Sequence, residues 1–240
     1  MTLEENTPSK PSLWEFLNEK GRNVDGYIAA IRSGEYDLDA LNSSGLAPLH
    51  EEILYKNENL NVIQALLESG ADLHIRARDN GATPLHYAVR NADVLRLILE
   101  IDVTCVDATD NKNRTALHDA AFGDHTGSVR LLLAYSSDPN ARDKEGISPL
   151  YDAVEARGID ETTILVLLEH GAVRIPDRNG KFPSHPITDK IRNATQNVIA
   201  AEGKAFRRRK VVLSRATDIK LSDFPFQQYP GAGYKSVYTP

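Results

Sequence analysis

Apolar residues in this chain recur in two short helical patterns that alternate along its length. The clearest example begins at Asp79-Asn80-Gly81-Ala82-Thr83-Pro84-Leu85-His86-Tyr87-Ala88 and continues into Val94, Leu95, Leu97, Ile98 and Leu99. Asn80-Gly81 is a turn signal, because glycine takes positive φ without steric cost and asparagine tolerates it. Thr83 is placed to cap a helix whose first position is Pro84, where the missing N–H costs nothing. The predicted unit is therefore a turn, a short helix and a second helix. Alone it cannot bury its apolar stripe, so it needs neighbours of its own kind.

Those neighbours are present. Gly45-Leu46-Ala47-Pro48-Leu49-His50 precedes the unit, and Arg114-Thr115-Ala116-Leu117-His118 and Gly146-Ile147-Ser148-Pro149-Leu150-Tyr151 follow it. The spacings are 36 residues from His50 to His86, 32 from His86 to His118 and 33 from His118 to Tyr151. The second pattern recurs in step with the first, at Val62–Asp72, Val129–Asp138 and Ile164–Ala172. Two linked periodicities are much harder to obtain by chance than one.

On these residues the chain resembles the ankyrin-repeat family: a Thr-Pro-Leu-His-like start, a Leu-Leu-x-x-Gly-Ala-like helix end, Asn140-Ala141-Arg142-Asp143 and a period near 33. The resemblance covers roughly residues 23–187. It implies an all-α ankyrin-repeat solenoid of about four recognisable repeats with degenerate N- and C-terminal capping units. Each repeat would consist of two antiparallel helices and a projecting hairpin loop. It also implies a protein-binding scaffold without chemistry of its own.

The expected organisation has four parts. Residues 1–11 form a polar, disordered start, and residues 12–187 form the repeat stack with atypical first and last units. Residues 188–213 form a basic capping helix, and residues 214–240 an extended tail rich in aromatic residues, proline and glycine. In the first unit, Ser12 and Glu15 have the spacing of a capping box, Trp14 is placed to close the hydrophobic end, and Asn23–Ser33 reads as a second helix. The loop from Ala71 to Asn80 carries one residue more than the repeat needs. Asp102 replaces the glycine that would end its helix, and is expected to take the left-handed conformation at some cost. Phe182 and Pro186 make the last unit degenerate.

Charge divides the chain unevenly. Residues 190–240 hold ten Lys or Arg and three Asp or Glu, whereas residues 1–189 hold 18 and 31. An acidic body attracts basic partners and repels free nucleic acid, so nucleic acid is not an expected partner. No segment approaches the 18 apolar residues of a membrane span, and the single cysteine, Cys105, cannot form an internal disulfide. Cys105 reads as a small, partly buried side chain between repeats. A cytoplasmic or nuclear location, or both, is expected, with no membrane association.

Catalytic and metal chemistry is not expected, and no cofactor. His50, His86 and His118 hold one repeat position, so they stand roughly 10 Å apart in a stack, whereas zinc needs nitrogens at about 2 Å. They read as structural histidines bonding turn to helix start. No Gly-x-Ser-x-Gly motif or Gly-Lys-Ser/Thr phosphate loop occurs. Asp79, Asp110, Asp143 and Asp177 recur at hairpins and suit turn hydrogen bonds.

The expected function is to bind another protein, including one with a basic or extended segment, through the concave face formed by first helices and hairpin loops. Repeat position alone nominates Arg76, Arg78, Tyr87, Arg90, Thr109, Asn111, Asp119, Phe122, Arg142, Lys144, Tyr151, Asp152 and Glu155. His74 projects from the same loop as Arg76. The alternative is an assembly subunit or dedicated chaperone whose C-terminal basic helix and tail make the contact. Its candidate residues are Arg207, Arg208, Arg209, Lys210, Phe224, Phe226, Tyr229 and Tyr234. The aromatic tail could fold back along the stack or dock to another chain.

Overall fold

The computed structural model describes residues 10–20, 23–55, 60–156, 161–173 and 175–181. The last-unit signal at Phe182, the basic segment around Arg207–Lys210 and the aromatic tail all lie outside the described residues. The chain divides into two compact units, residues 1–119 and 120–240. Among the described residues the regular structure is helical, with two isolated β-bridges, Ser12 to Asp37 and Thr109 to Thr115.

The first unit contains α1 (Leu13–Lys20), α2 (Val24–Ser33), α3 (Pro48–Tyr55), α4 (Leu60–Glu68), α5 (Pro84–Ala88) and α6 (Ala92–Ile101), and α7 (Ala116–Phe122) crosses the boundary into the second. Helices α1, α3 and α5 each pair with the next helix in the chain. The second helices α2, α4 and α6 pack in succession, and α3 packs on α5. The apolar stripe read from the sequence is the packed one: Ile31, Leu49, Ile63, Leu66, Leu85, Leu95 and Ile98 are buried. The second unit contains α8 (Thr126–Ala134), α9 (Pro149–Glu155) and α10 (Glu161–Glu169), with α10 packed on both α8 and α9. Leu132, Val154, Ile164 and Leu167 supply its core.

Local signals explain where the helices begin. Asn91 Oδ1 accepts from the Asp93 and Val94 amides at 2.8 and 3.2 Å, and Ser148 Oγ accepts from the Tyr151 amide at 3.2 Å. Asn23 caps α2 in the same way through the Asp25 amide at 3.2 Å. Pro84 and Pro149 take the first helical positions, as expected. At Ser12 the structure departs from the capping box: the hydroxyl bonds the Glu15 carboxylate at 3.4 Å, while the backbone here pairs with Asp37. Leu13, Tyr27 and Ile31 are buried, and Phe16 packs against Tyr27 and Tyr36, so the atypical first pair has a small aromatic core of its own.

Helix ends use three different solutions at one repeat position. Gly70 and Gly171 take positive φ without penalty, and Ser136 adopts φ 70° in the same place. Asp102, expected to be left-handed, is instead extended at φ −144°. Its amide bonds the Ile98 carbonyl and closes α6, while its carboxylate accepts from the Thr104 amide at 2.8 Å and starts a 3-10 turn, Val103–Cys105. An aspartate can cap the turn on its C-terminal side, so the chain changes direction without left-handed strain.

Candidate protein-binding surface

The hairpins between helix pairs are built from a side-chain scaffold that the recurring acids supply. Asp110 Oδ1 accepts from the amides of Lys112 and Arg114 at 2.7 and 2.8 Å, Asp143 from those of Glu145 and Ile147 at 2.9 and 2.8 Å, and Asp177 from those of Asn179 and Lys181, both at 2.8 Å. These are the turn bonds expected of them. Asp79 is not the equivalent residue. Its hairpin closes from Ala77 to Ala82, five residues apart instead of the four between Asp143 and Ile147, and Asn80 bonds the Ala82 amide at 3.0 Å. The surplus residue read from the sequence therefore sits at this tip.

Within each unit, neighbouring hairpins are fastened by an arginine. Arg76 donates to the Thr109 carbonyl and, at 3.1 Å, to Asn111 Oδ1; Arg142 donates to the Pro176 carbonyl at 2.8 Å and to the Gly146 carbonyl at 3.3 Å. Both arginines stand one residue before the hairpin opens, at Ala77 and Asp143, and both reach the matching carbonyl of the next repeat. A backbone bond runs beside each clamp, from the Asn111 amide to Asn80 and from the Arg178 amide to Glu145, at 2.8 and 2.7 Å. Glycine is required beside each: a Cβ on Gly81 would stand 2.6 Å from Arg76 Nη2, and one on Gly146 would stand 2.6 Å from Arg142 Nη2 and 2.8 Å from the Arg178 amide nitrogen.

A second set of ties joins the loops that come after the second helices. Asp39 accepts from the Asp72 amide at 2.9 Å, His74 Nε2 lies 3.0 Å from Asp102 Oδ2, and Asn140 bonds the Gly171 carbonyl and the Val173 amide at 2.9 and 2.8 Å. The hydroxyl and amide of Thr104, with the His74 ring, hold the Asp102 carboxyl down at about 2. His74, Arg76, Asn111 and Arg142, expected as outward contacts or as part of a contact loop, are exposed and each also has a partner within the chain.

The repeated histidines are also internal. His50 Nδ1 accepts from the Ala47 amide at 3.2 Å and Nε2 meets the Ala82 carbonyl at 3.2 Å. His86 does the same with the Thr83 amide at 3.2 Å and the Arg114 carbonyl at 2.9 Å, and His118 Nδ1 accepts from the Thr115 amide at 3.0 Å. For His50 and His86 an accepting Nδ1 beside a carbonyl-facing Nε2 assigns the neutral tautomer protonated at Nε2. Burial pushes His50 down to about 4. Among the described residues no group of three or more His, Cys, Asp or Glu could hold a metal ion.

The remaining candidates separate by exposure. In the first unit Arg78 and Arg90 are exposed. Tyr87 is half-buried, edge-on to His50, with its hydroxyl 3.2 Å from Asn80 Nδ2. Thr109 is half-buried in its bridge, and Asp119 pairs with Arg114 at 3.3 Å; burial raises its carboxyl. In the second unit Lys144 and Glu155 are exposed, and Phe122 is 60% exposed although Ala116, Leu117, Ala120 and Ala121 of the same helix are buried. Tyr151 and Asp152, nominated as contacts, are buried. Tyr151 occupies the slot that histidine fills in earlier repeats, which is an inward-facing position. Burial, then the carboxylates of Glu155, Asp177 and Asp152, raise its phenol. Cys105 is fully buried, its thiol bonded to the Asp102 carbonyl at 2.9 Å and pushed up by burial to about 11.

A concavity that the sequence did not indicate lies in the first unit. Ser12, Trp14, Leu17, Asn18, Leu41, Asn42, Ser43 and Glu51 line an open groove of about 550 Å³. Trp14 is half-buried there, its indole N–H donating to the Ala40 carbonyl at 2.7 Å.

Comparison with known proteins agrees with this architecture. NF-kappa-B inhibitor zeta of Mus musculus is 30% identical over 156 residues, covering 51% of this chain and 21% of its own. The Drosophila melanogaster transient receptor potential cation channel subfamily A member 1 is 32% identical, covering 53% of this chain and 11% of the channel. Human SH3 and multiple ankyrin repeat domains protein 2 is 26% identical, covering 72% of this chain and 10% of its own. The chain thus spans about a quarter or less of the length of these curated relatives. Among solved structures, EF0377, an ankyrin repeat protein, superposes with a TM-score of 0.66 at 22% identity, covering 81% of this chain and 98% of that one. The family model for ankyrin repeats in three copies matches residues 22–107 and 104–179. With paired helices, clamped hairpins and inward histidines recurring at this period, the chain belongs to the ankyrin-repeat family, and its fold is the expected all-α repeat solenoid.

Proposed function

We propose that this chain binds another protein through the exposed ends of its first helices and its hairpin tips. The contacts are Arg78, Tyr87 and Arg90 in the first unit and Phe122, Lys144 and Glu155 in the second. The observation that carries this reading is Phe122, a large aromatic side chain left 60% exposed at the end of an otherwise buried helix face. Aromatic and arginine side chains are the usual energetic anchors of protein interfaces. Ankyrin repeats are generally protein–protein interaction modules, and one relative is named as an inhibitor of NF-kappa-B, which supports the same reading. No helix of the described residues is long and apolar enough to cross a membrane. A non-enzymatic role in the cytoplasm or nucleus, with residues 12–187 as the repeat region, belongs to the same proposal.

Affinity capture from the native cell extract tests it. Phe122→Ala and Arg78→Ala are expected to lose a partner that the parent chain retains, with the melting transition unchanged. Undiminished capture by both variants, with loss on removal of residues 214–240, would transfer the function to the C-terminal segments.

A further inference from the structure

The hairpin edge of the second unit carries most of that unit's basic side chains. Residues 120–181 hold seven Lys or Arg against ten Asp or Glu, yet four of the seven, Arg142, Lys144, Arg178 and Lys181, belong to two successive hairpins and are exposed. Of the acids on these hairpins, Asp143 and Asp177 are half-buried, and each commits one carboxylate oxygen to two backbone amides at 2.8–2.9 Å. Glu145 is the one exposed acid among the described residues of the pair. The attraction for basic partners expected of an acidic body therefore does not extend to this edge. Its cations stand on a fixed frame. Lys144 and Arg178 each follow a turn aspartate, so they hold the same place in neighbouring hairpins. The Arg178 amide donates to the Glu145 carbonyl at 2.7 Å and Arg142 donates to the Pro176 carbonyl at 2.8 Å, which sets the spacing of the two tips before any partner arrives. Packed repeats stand about 10 Å apart. A protein segment in the polyproline II conformation has three residues per turn, so it brings residues i and i+3 to one face about 9 Å apart. One acid of such a pair can meet Lys144 while the other meets Arg178, whose planar fork suits a carboxylate.

We propose that these two hairpins bind an acidic, extended segment of a partner protein, with carboxylates three residues apart pairing with Lys144 and Arg178 while Lys181 adds to the attraction. The inference rests on the reading that the chain is a protein-binding module, and it names the chemistry of partner that one part of the surface takes. At physiological salt, exposed charges more than about 8 Å away are largely screened. The acids on the helices therefore count for less than the cations at the tips. The small number of cations also favours a protein over nucleic acid, because affinity for a polyphosphate grows with the number of phosphates neutralised and needs a longer basic track.

The full chain, labelled with nitrogen-15, is titrated at low ionic strength with the acetylated, amidated peptide Pro-Glu-Pro-Pro-Glu-Pro, with its glutamine counterpart Pro-Gln-Pro-Pro-Gln-Pro and with the isomer Pro-Glu-Glu-Pro-Pro-Pro. Saturable amide shifts over residues 142–147 and 177–181 are expected with the first peptide, several-fold weaker binding with the isomer and none with the glutamine peptide. Lys144→Glu and Arg178→Glu change exposed side chains, and each is expected to weaken the first peptide roughly fivefold to tenfold with the melting transition unchanged. Glu145→Gln is expected to tighten it about twofold. Equal affinity of the two acidic isomers, a glutamine response equal to that of glutamate, or indifference to both charge reversals overturns the proposal. So does a short oligothymidylate that binds these hairpins more tightly than the acidic peptide, an outcome that assigns the edge to nucleic acid. If the acidic peptide is silent while partner capture still depends on Phe122, this edge loses its assignment and the protein-binding reading stands. If the peptide binds as expected while capture depends on neither Phe122 nor Arg78, the wider surface falls and the hairpin edge is kept.

Discussion

Two sets of basic side chains leave the same hairpins and end in opposite situations. Arg76 and Arg142 lie across to the next hairpin and are held by its carbonyls, whereas Arg78 and Lys144, two residues further along, make no side-chain hydrogen bond to a neighbouring hairpin among the described residues, although all four are exposed. Residue type does not distinguish them; position relative to the opening of the hairpin does. The first set commits part of its hydrogen-bonding capacity to internal order, and the second has made no such commitment. A surface of this kind sets a small number of exposed charges on a clamped frame.

The largest test of the fixed frame is Gly146→Ala. It puts a Cβ into a left-handed position against the Arg178 amide and the Arg142 guanidinium, and the expected loss is about 3 kcal/mol in urea unfolding. The next test is pH. His50, folded, titrates at about 4 against an unfolded value near 6.5, so between these values the unfolded chain binds more protons. Stability is then complete above about pH 6.5 and declines as pH falls towards 4. The expected loss is about 2 kcal/mol between pH 7.5 and pH 5, with a smaller pH dependence in His50→Gln. Removing a clamp comes third: Arg76→Ala or Arg142→Ala is expected to cost about 1–2 kcal/mol, while Arg78→Ala and Lys144→Ala stay within about 0.5 kcal/mol. Equal effects from the two sets would erase the distinction. The smallest effect is a gain. Ser136→Gly removes a left-handed penalty and should raise stability by about 0.5–1 kcal/mol, read as an upward shift of the urea midpoint.

Much of the fold was legible because its signals are local. A glycine turn, a capping threonine, a proline at the first helical position and paired leucines each specify structure within a few residues, and their common period specifies the rest. The helices that open at Pro84 and Pro149 come directly from these signals. The candidate surface was less legible because clamps such as Arg76 to Thr109 join residues a full repeat apart, through loops whose exact geometry no short motif encodes. A usable signal existed for Tyr151: it continues the series His50, His86 and His118, all inward-facing, and its burial is a consequence of that register. The Asp102 turn was missed for a related reason. Its replacement for a left-handed glycine depends on an aspartate that caps forward into Val103–Cys105, and aspartate is compatible with either conformation.

The packing around Cys105 has an experimental consequence. The chain's only thiol is sealed from solvent, engaged with a carbonyl and almost wholly protonated at neutral pH, so a maleimide dye has no ready native target. A reporter cysteine introduced at Lys144 or Glu155 would therefore take up label at one known address, in an otherwise unaltered background.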